Sequence, residues 1–376
     1  MGSSVYFSPT IAIMCNDPAG TIITGAPGSG KSWLMISIAV NEISCGRRII
    51  AIDPKNDLLN LNIIDPRVVT VDINHIKPGS LNPFVFLNDC DSITIKTLIE
   101  IMLGGIDDVQ ADSKINDELE DFIVKARRDN EYVDMQDVID RLFRHPEASV
   151  RHVGSALKLA ANSKYGKLLF TRNRDVDPVV ITPTTNVVFS LLGLDFPDAM
   201  KSAEEYTSEE NFTAALIYII SKKLEESLAS GERIPTTLLC DEAHILFSNQ
   251  QMIKIINKFL TMGRSLNMAT VLASQSVSHF PQNIAQFIAN KFVFKSSKDD
   301  TYSFLSKFDT TDIDPTTQIN RDNVATTIAN LPTGHCFYID SKSRSGIVHI
   351  VPQFDHKILK TSAADISSGE RENGNT

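Results

Sequence analysis

The chain has 376 residues, 42% of them apolar and 22% charged, with a formal charge of −10. That length fits one large domain with an insertion or two domains sharing an interface, and that composition excludes a disordered or fibrous protein. The acidic total excludes a coat of basic surface for gripping nucleic acid, though a local basic pore is compatible with it.

The first segment alternates β-rich and helical runs: residues 21–24, a helix over 31–44, then 48–53 and 68–72. Strands separated by helices indicate parallel βαβ units. The most apolar helical stretch, 33–40, is too short for a bilayer and runs into Asn41 and Glu42, and no basic-then-apolar leader opens the chain. After Gly79-Ser80-Leu81-Asn82-Pro83-Phe84 the character changes, and residues 91–167 read as successive amphipathic helices with charged faces and no strand, an all-helical insertion. The β pattern resumes at 186–192. A long helix over 208–230 follows, then a strand at 236–241, a helix at 250–263, a strand at 269–274 and an apolar run at 291–294. Residues 334–340 and 346–351 pair as a hairpin across the 341–345 turn. Beyond Thr361 the Ser, Gly, Glu and Asn content is too polar to order itself. The five cysteines are scattered, with no Cys-x-x-Cys, and read as reduced thiols of a cytosolic protein.

Gly25-Ala26-Pro27-Gly28-Ser29-Gly30-Lys31-Ser32 fits G-x-x-x-x-G-K-[ST] at every fixed position, with a strand before it and a helix after it. Glycines let backbone N–H groups converge on a polyphosphate, and the helix that follows points its positive end there. Lys31 supplies charge to the β and γ phosphates, and the Ser32 hydroxyl is a magnesium ligand, so the cofactors expected are ATP and Mg2+. Trp33, the only tryptophan, borders the nucleotide positions and reads as a packing residue rather than a base-stacking one.

A second carboxylate is needed at the end of a neighbouring strand. Leu238-Leu239-Cys240-Asp241-Glu242 provides it, with Asp241 toward the metal and Glu242 placed to polarise the attacking water. His244 has no partner at metal-ligand spacing and reads as a packing or hydrogen-bonding residue. Gln275, after the next strand, is a candidate sensor of the γ phosphate, with helix capping as its bland alternative. Arg264 precedes that strand and so falls at the opposite end of a parallel sheet, the place for an arginine that enters a neighbouring subunit's site. Arg344 in the 341–345 turn is its rival. Asp241-Glu242-Ala243-His244 also matches a group of helicases, but a second mononucleotide-binding half and a Gln-Arg-x-Gly-Arg run are both missing.

Together these residues resemble the ATPase domain of the conjugative-transfer and type IV secretion ATPases of the VirB-four, TraC and TraE class, in the HerA and FtsK superfamily. The resemblance rests on the phosphate loop, Ile52-Asp53-Pro54-Lys55, Ser80-Leu81-Asn82-Pro83-Phe84, Asp241-Glu242-Ala243-His244, Gly263-Arg264-Ser265-Leu266-Asn267 and Ala273-Ser274-Gln275-Ser276. It implies an α/β fold: a RecA-like P-loop NTPase core with a mainly parallel twisted sheet, plus an all-α inserted subdomain. The expected division is 1–84 and 181–360 for the two parts of the core, 85–180 for the insertion and 361–376 for a disordered tail.

The implied activity is ATP hydrolysis driving substrate transfer or pilus assembly, the alternative being a hexameric DNA-translocating pump. Lys31 and Ser32 would hold nucleotide and metal, Asp241 and Glu242 would form the acidic pair, Gln275 would sense and Arg264 would act as the finger. Implied partners are further copies in a hexameric ring and other channel components. The implied location is cytoplasmic, at the inner face of the membrane through partners or through the N-terminal domain that such proteins carry before this core.

Overall fold

The computed structural model describes residues 6–351 except 107, 130, 173–178, 180, 198–200, 230–233, 249 and 309–316. The expected tail, 361–376, lies outside the described residues. Nine strands form one sheet: β1 (Gly20–Thr24), β2 (Arg48–Asp53), β3 (Val68–Asp72), β4 (Asn186–Ser190), β5 (Thr236–Cys240), β6 (Met268–Ser274), β7 (Ile288–Phe294), β8 (His335–Ile339) and β9 (Ser345–His349). Their order is β3-β4-β2-β5-β6-β1-β7-β8-β9. The first seven pair in parallel, and β8 and β9 add an antiparallel hairpin at one edge.

The central strands β1, β2, β5 and β6 are buried along their whole length, as a parallel sheet covered on both faces requires. Alternate side chains feed two apolar layers. Ile23, Ile49, Ala51, Leu239 and Val271 pack with Leu34, Met35 and Ile38 of the Lys31–Ser44 helix. Ile22, Ile50, Ile52, Leu238 and Leu272 share the other layer with Leu216 and Ile220 of the Ser208–Ala229 helix and with Leu98 and Ile99 of the Ser92–Leu103 helix. The period of two is thus converted into two cores, each closed by helices.

Between β3 and β4 the main helices are Ser92–Leu103, Val109–Asp129, Met135–Phe143 and Ala148–Ala161. Their sequence supplies their ends: Asp91 accepts the Thr94 N–H at 2.7 Å and Gly104 closes the first in the left-handed region, while Asp134 and Asp137 form a capping box. Arg172 ties that box down, donating to Asp134 at 2.9 Å and to Asp137. Asn82 caps the short Pro83–Phe86 helix, and the Leu81 N–H donates to the Leu168 carbonyl at 3.1 Å, so the Asn-Pro-Phe element fastens the start of the helical region to its end.

The boundaries of two elements differ most from the sequence expectation. β7 begins at Ile288, its polar Asn290 held by the Tyr338 hydroxyl at 2.7 Å. The Gln250–Leu266 helix continues through Gly263, where a Cβ would stand 2.6 Å from the Met268 carbonyl oxygen and 2.7 Å from Ala19 Cβ. Glycine here permits close packing and does not end the helix. No helix among the described residues is long and apolar enough to cross a membrane.

Candidate active site

The parallel strands end together, and the residues that follow them converge. After β1 the chain enters the phosphate loop, whose Gly25 has φ 148° and would place a Cβ 2.6 Å from Phe294 Cβ, so any side chain is refused. Two neighbours pin the loop: the Ala26 N–H donates to the Lys295 carbonyl at 2.7 Å and the Gly334 N–H donates to the Ser29 carbonyl at 3.0 Å. Pro27 and Gly28 are exposed at its crest, whereas Ser29 and Gly30 are buried. Gly30 caps the Lys31–Ser44 helix in the left-handed region. Lys31 is 8% exposed, and its ammonium folds back onto its own loop, donating to the Gly25 carbonyl at 2.7 Å and the Ala26 carbonyl at 3.1 Å. Burial lowers its pKa against the opposing pull of Glu242 and Asp241. Ser32 and Trp33 are half-buried in the first turn of the helix.

β5 delivers the acidic pair. The Asp241 N–H still pairs with the Ile52 carbonyl at 3.1 Å, extending the ladder by one residue and fixing the side chain beside β2. Asp241 is 4% exposed, and burial together with the carboxylates of Glu242, Asp57 and Asp53 pushes its carboxyl up to about 7. Glu242 has φ 47°, a left-handed conformation that is strained for a residue with a side chain and is characteristic of functional positions.

The Glu242 carboxylate is 3% exposed. Its Oε1 accepts from the Lys55 ammonium and from Gln275 Nε2 at 2.9 Å. His244 Nδ1 lies 3.3 Å from Oε2 but off the line of a hydrogen bond, so both atoms are buried without a hydrogen-bond partner. Burial works to raise the Glu242 pKa, but His244, Lys55 and Gln275 outweigh it and hold the carboxyl at about 2. His244 also packs on His279, ring centroids 4.6 Å apart. No group of three metal-ligating side chains occurs among the described residues.

Residues 53–58 join the site although their chemistry was not foreseen; their only sequence signal was Ile52-Asp53-Pro54-Lys55. Asp53, fully buried at the end of β2, accepts the N–H groups of Lys55 at 3.1 Å and Asp57 at 3.2 Å on Oδ1 and that of Leu58 at 2.7 Å on Oδ2. Burial pushes its carboxyl up to about 6, against those hydrogen bonds. The loop so folded presents Asp57 to Ser32, whose Oγ donates to Oδ2 at 2.5 Å, and Lys55 to Glu242. The β8–β9 hairpin expected from the sequence also reaches the loop, bringing Gly334 against Ser29.

The two arginines stand apart from this cluster. Arg264 is exposed at the end of its helix and donates to the Asn16 carbonyl at 3.3 Å. Arg344 pairs with Asp340 at 2.6 Å in the β8–β9 turn, beside Ser341, which donates to Asp17 at 2.7 Å. Both lie around residues 16–17, which precede β1, at the end of the central strands opposite the phosphate loop.

The AAA-like domain family model matches residues 5–361. The chain is 25% identical over 279 residues to YddE of Bacillus subtilis (strain 168), covering 68% of this chain and 33% of YddE, so it spans about a third of that relative's length. VirB4 of Thermoanaerobacter pseudethanolicus superposes with a TM-score of 0.64 at 16% identity, covering 91% of each chain. The plasmid coupling protein TrwB in complex with the ATP analogue ADPNP superposes with a TM-score of 0.56 at 14% identity, covering 90% of this chain and 86% of TrwB. TrwB has also been solved with ADP and Mg2+.

Proposed function

We propose that this chain, which belongs to the AAA-like domain family, hydrolyses ATP and is a motor of a conjugation or type IV secretion apparatus. The observation that carries the reading is convergence: Lys31 and Ser32, Lys55 and Asp57, Asp241 and Glu242, and Gln275 come from four separate segments and meet through direct contacts. The fold shared with VirB4 and TrwB supports the setting.

The residues fit the nucleotide and its metal. A Cβ at the crest of the loop, at Gly28, meets nothing within 4 Å, while Lys31 and Ser32 stand at the N-terminus of a long helix. In this reading Lys31 leaves the loop carbonyls for the β and γ phosphates. Ser32 Oγ and Asp241 hold magnesium, which supplies charge neutralisation across the phosphates. Glu242 orients water and takes its proton, and Gln275 answers to the γ phosphate through its contact with Glu242. The loop, residues 25–32 with Trp33, forms the nucleotide edge.

Arg264, with Arg344 as rival, completes the site of an adjacent copy in a hexameric ring, a role supported by their position at the end of the strands opposite the phosphate loop. Residues 85–180 then act as the inserted subdomain. The protein works on the cytoplasmic side of a membrane, held there by channel partners. A DNA-translocating pump is the second reading, favoured by the fold shared with a coupling protein and disfavoured by the charge of −10. Steady-state ATP hydrolysis, measured across protein concentration with and without single- and double-stranded DNA, tests both. A rate per subunit that rises with concentration and ignores DNA supports the first, DNA stimulation supports the second, and absence of hydrolysis under every condition rejects both.

A further inference from the structure

Lys55 has no part in the chemistry above, yet its ammonium is the charge paired with the base. Its side chain is 46% exposed while that of Glu242 is 3% exposed, so a half-solvated cation caps a carboxylate shut away from water. With Lys55 and Gln275 both on Oε1, that oxygen has little room left for a third donor. The backbone beneath Lys55 is fixed by the three N–H groups that converge on Asp53, leaving its long side chain as the mobile part. The same loop reaches Ser32 through Asp57, and the charges of Lys55 and Asp57 are both felt at Lys31. A flexible ammonium in that position has two anionic partners within reach, the carboxylate and a polyphosphate on the loop.

We infer that Lys55 is a positioning residue with two stations: it neutralises Glu242 until a γ phosphate arrives, then exchanges the carboxylate for that phosphate and frees Oε1 for the attacking water. The inference rests on the assignment of Lys31 to the phosphates and Glu242 to the water. Glu242 keeps Gln275 Nε2 after the exchange, so the buried carboxylate is never left bare. The γ phosphate thereby reports its own arrival to the base, and ADP, which lacks it, leaves the pair closed.

Isothermal titration of the full chain with Mg·ADPNP and with Mg·ADP tests this, using wild type, Lys55→Met, Lys55→Arg, Glu242→Gln and the Lys55→Met/Glu242→Gln double variant. Lys55→Met should weaken ADPNP about tenfold or more, the loss of one charge-assisted contact, and change ADP by less than about twofold. Lys55→Arg should restore most of the difference. Glu242→Gln should bind ADPNP more tightly than wild type, because its lysine is already released, and the double variant should lose that gain. Equal weakening of both nucleotides by Lys55→Met marks a merely structural role and overturns the inference, as does a gain in Glu242→Gln that is absent or survives in the double variant. If wild type binds neither nucleotide, or Lys31→Ala binds both normally, the phosphate site itself is misassigned and the inference falls with it.

Discussion

Replacing Lys31 with methionine should separate binding from folding. The ammonium donates to the Gly25 and Ala26 carbonyls, and hydrogen bonds from a charged donor are worth about 1.5–3 kcal/mol each. Burying that ammonium costs several kcal/mol in the opposite sense, in line with the pKa lowering that burial produces. Methionine keeps the apolar stem, and the Ala26 carbonyl retains the Ser29 hydroxyl at 2.7 Å, so only the Gly25 carbonyl loses its lysine donor uncompensated. The terms offset, and stability without nucleotide should move by less than about 1 kcal/mol. In the wild type, nucleotide at about one hundred times its Kd adds about 2.7 kcal/mol. At about 2.1 cal/mol/K of unfolding entropy per residue, a chain of 376 residues gains about 3 °C in Tm. Scanning calorimetry with and without Mg·ADPNP should show that gain in the wild type and none in Lys31→Met, whose own Tm stays within about 1–2 °C of wild type. A full gain in the variant would refute the assignment of Lys31 to the phosphates, and a collapse of its nucleotide-free Tm would refute the offset.

Other expectations concern the frame and the ring. Glu42 is fully buried and accepts from Ser8 at 2.6 Å and from Thr10, Thr237 and Arg47 at 3.0 Å each. Glu42→Ala should therefore cost about 3–5 kcal/mol in urea unfolding, since it strands a guanidinium and three hydroxyls; a loss under about 1 kcal/mol would show the network to be ornamental. For the finger, Arg264→Ala subunits mixed with Glu242→Gln subunits in a confirmed mixed assembly should regain hydrolysis, because the second supplies the arginine that the first lacks. No rescue there, with rescue of Arg344→Ala instead, would transfer the role to Arg344.

Strand and helix positions in the core were largely legible because a parallel sheet writes itself as short, β-rich and mostly apolar runs separated by amphipathic helices. The phosphate loop and the acidic pair were legible because each combines a fixed spacing with the correct flanks. Strand order was not: β4 enters between β2 and β3 only after the long, mainly helical stretch that follows β3, and no local pattern encodes which edge a returning strand will take. Lys55 and Asp57 escaped notice for a related reason, since a charged loop after a strand reads as solvated surface until Asp53 folds it inward and sets both side chains against residues far along the chain. Glu42, two residues past the apolar run that ends at Val40, read only as a polar break after it, whereas donors from the N-terminal segment and β5 bury it. The helix expected to stop at Gly263 runs on to Leu266, and the glycine serves instead the close approach of Ala19.

The most direct measurement is single-turnover hydrolysis of ATP by wild type and by Glu242→Gln, with ADPNP affinity measured on the same samples. Glutamine keeps the size of the side chain and still accepts from Gln275, but it has no carboxylate to take the proton of water. The expected result is hydrolysis in the wild type, loss of roughly a hundredfold or more in the variant, and ADPNP binding at least as tight as in the wild type. Turnover at the wild-type rate in Glu242→Gln would contradict the central claim that this buried carboxylate, delivered by β5 to the phosphate loop, activates the attacking water.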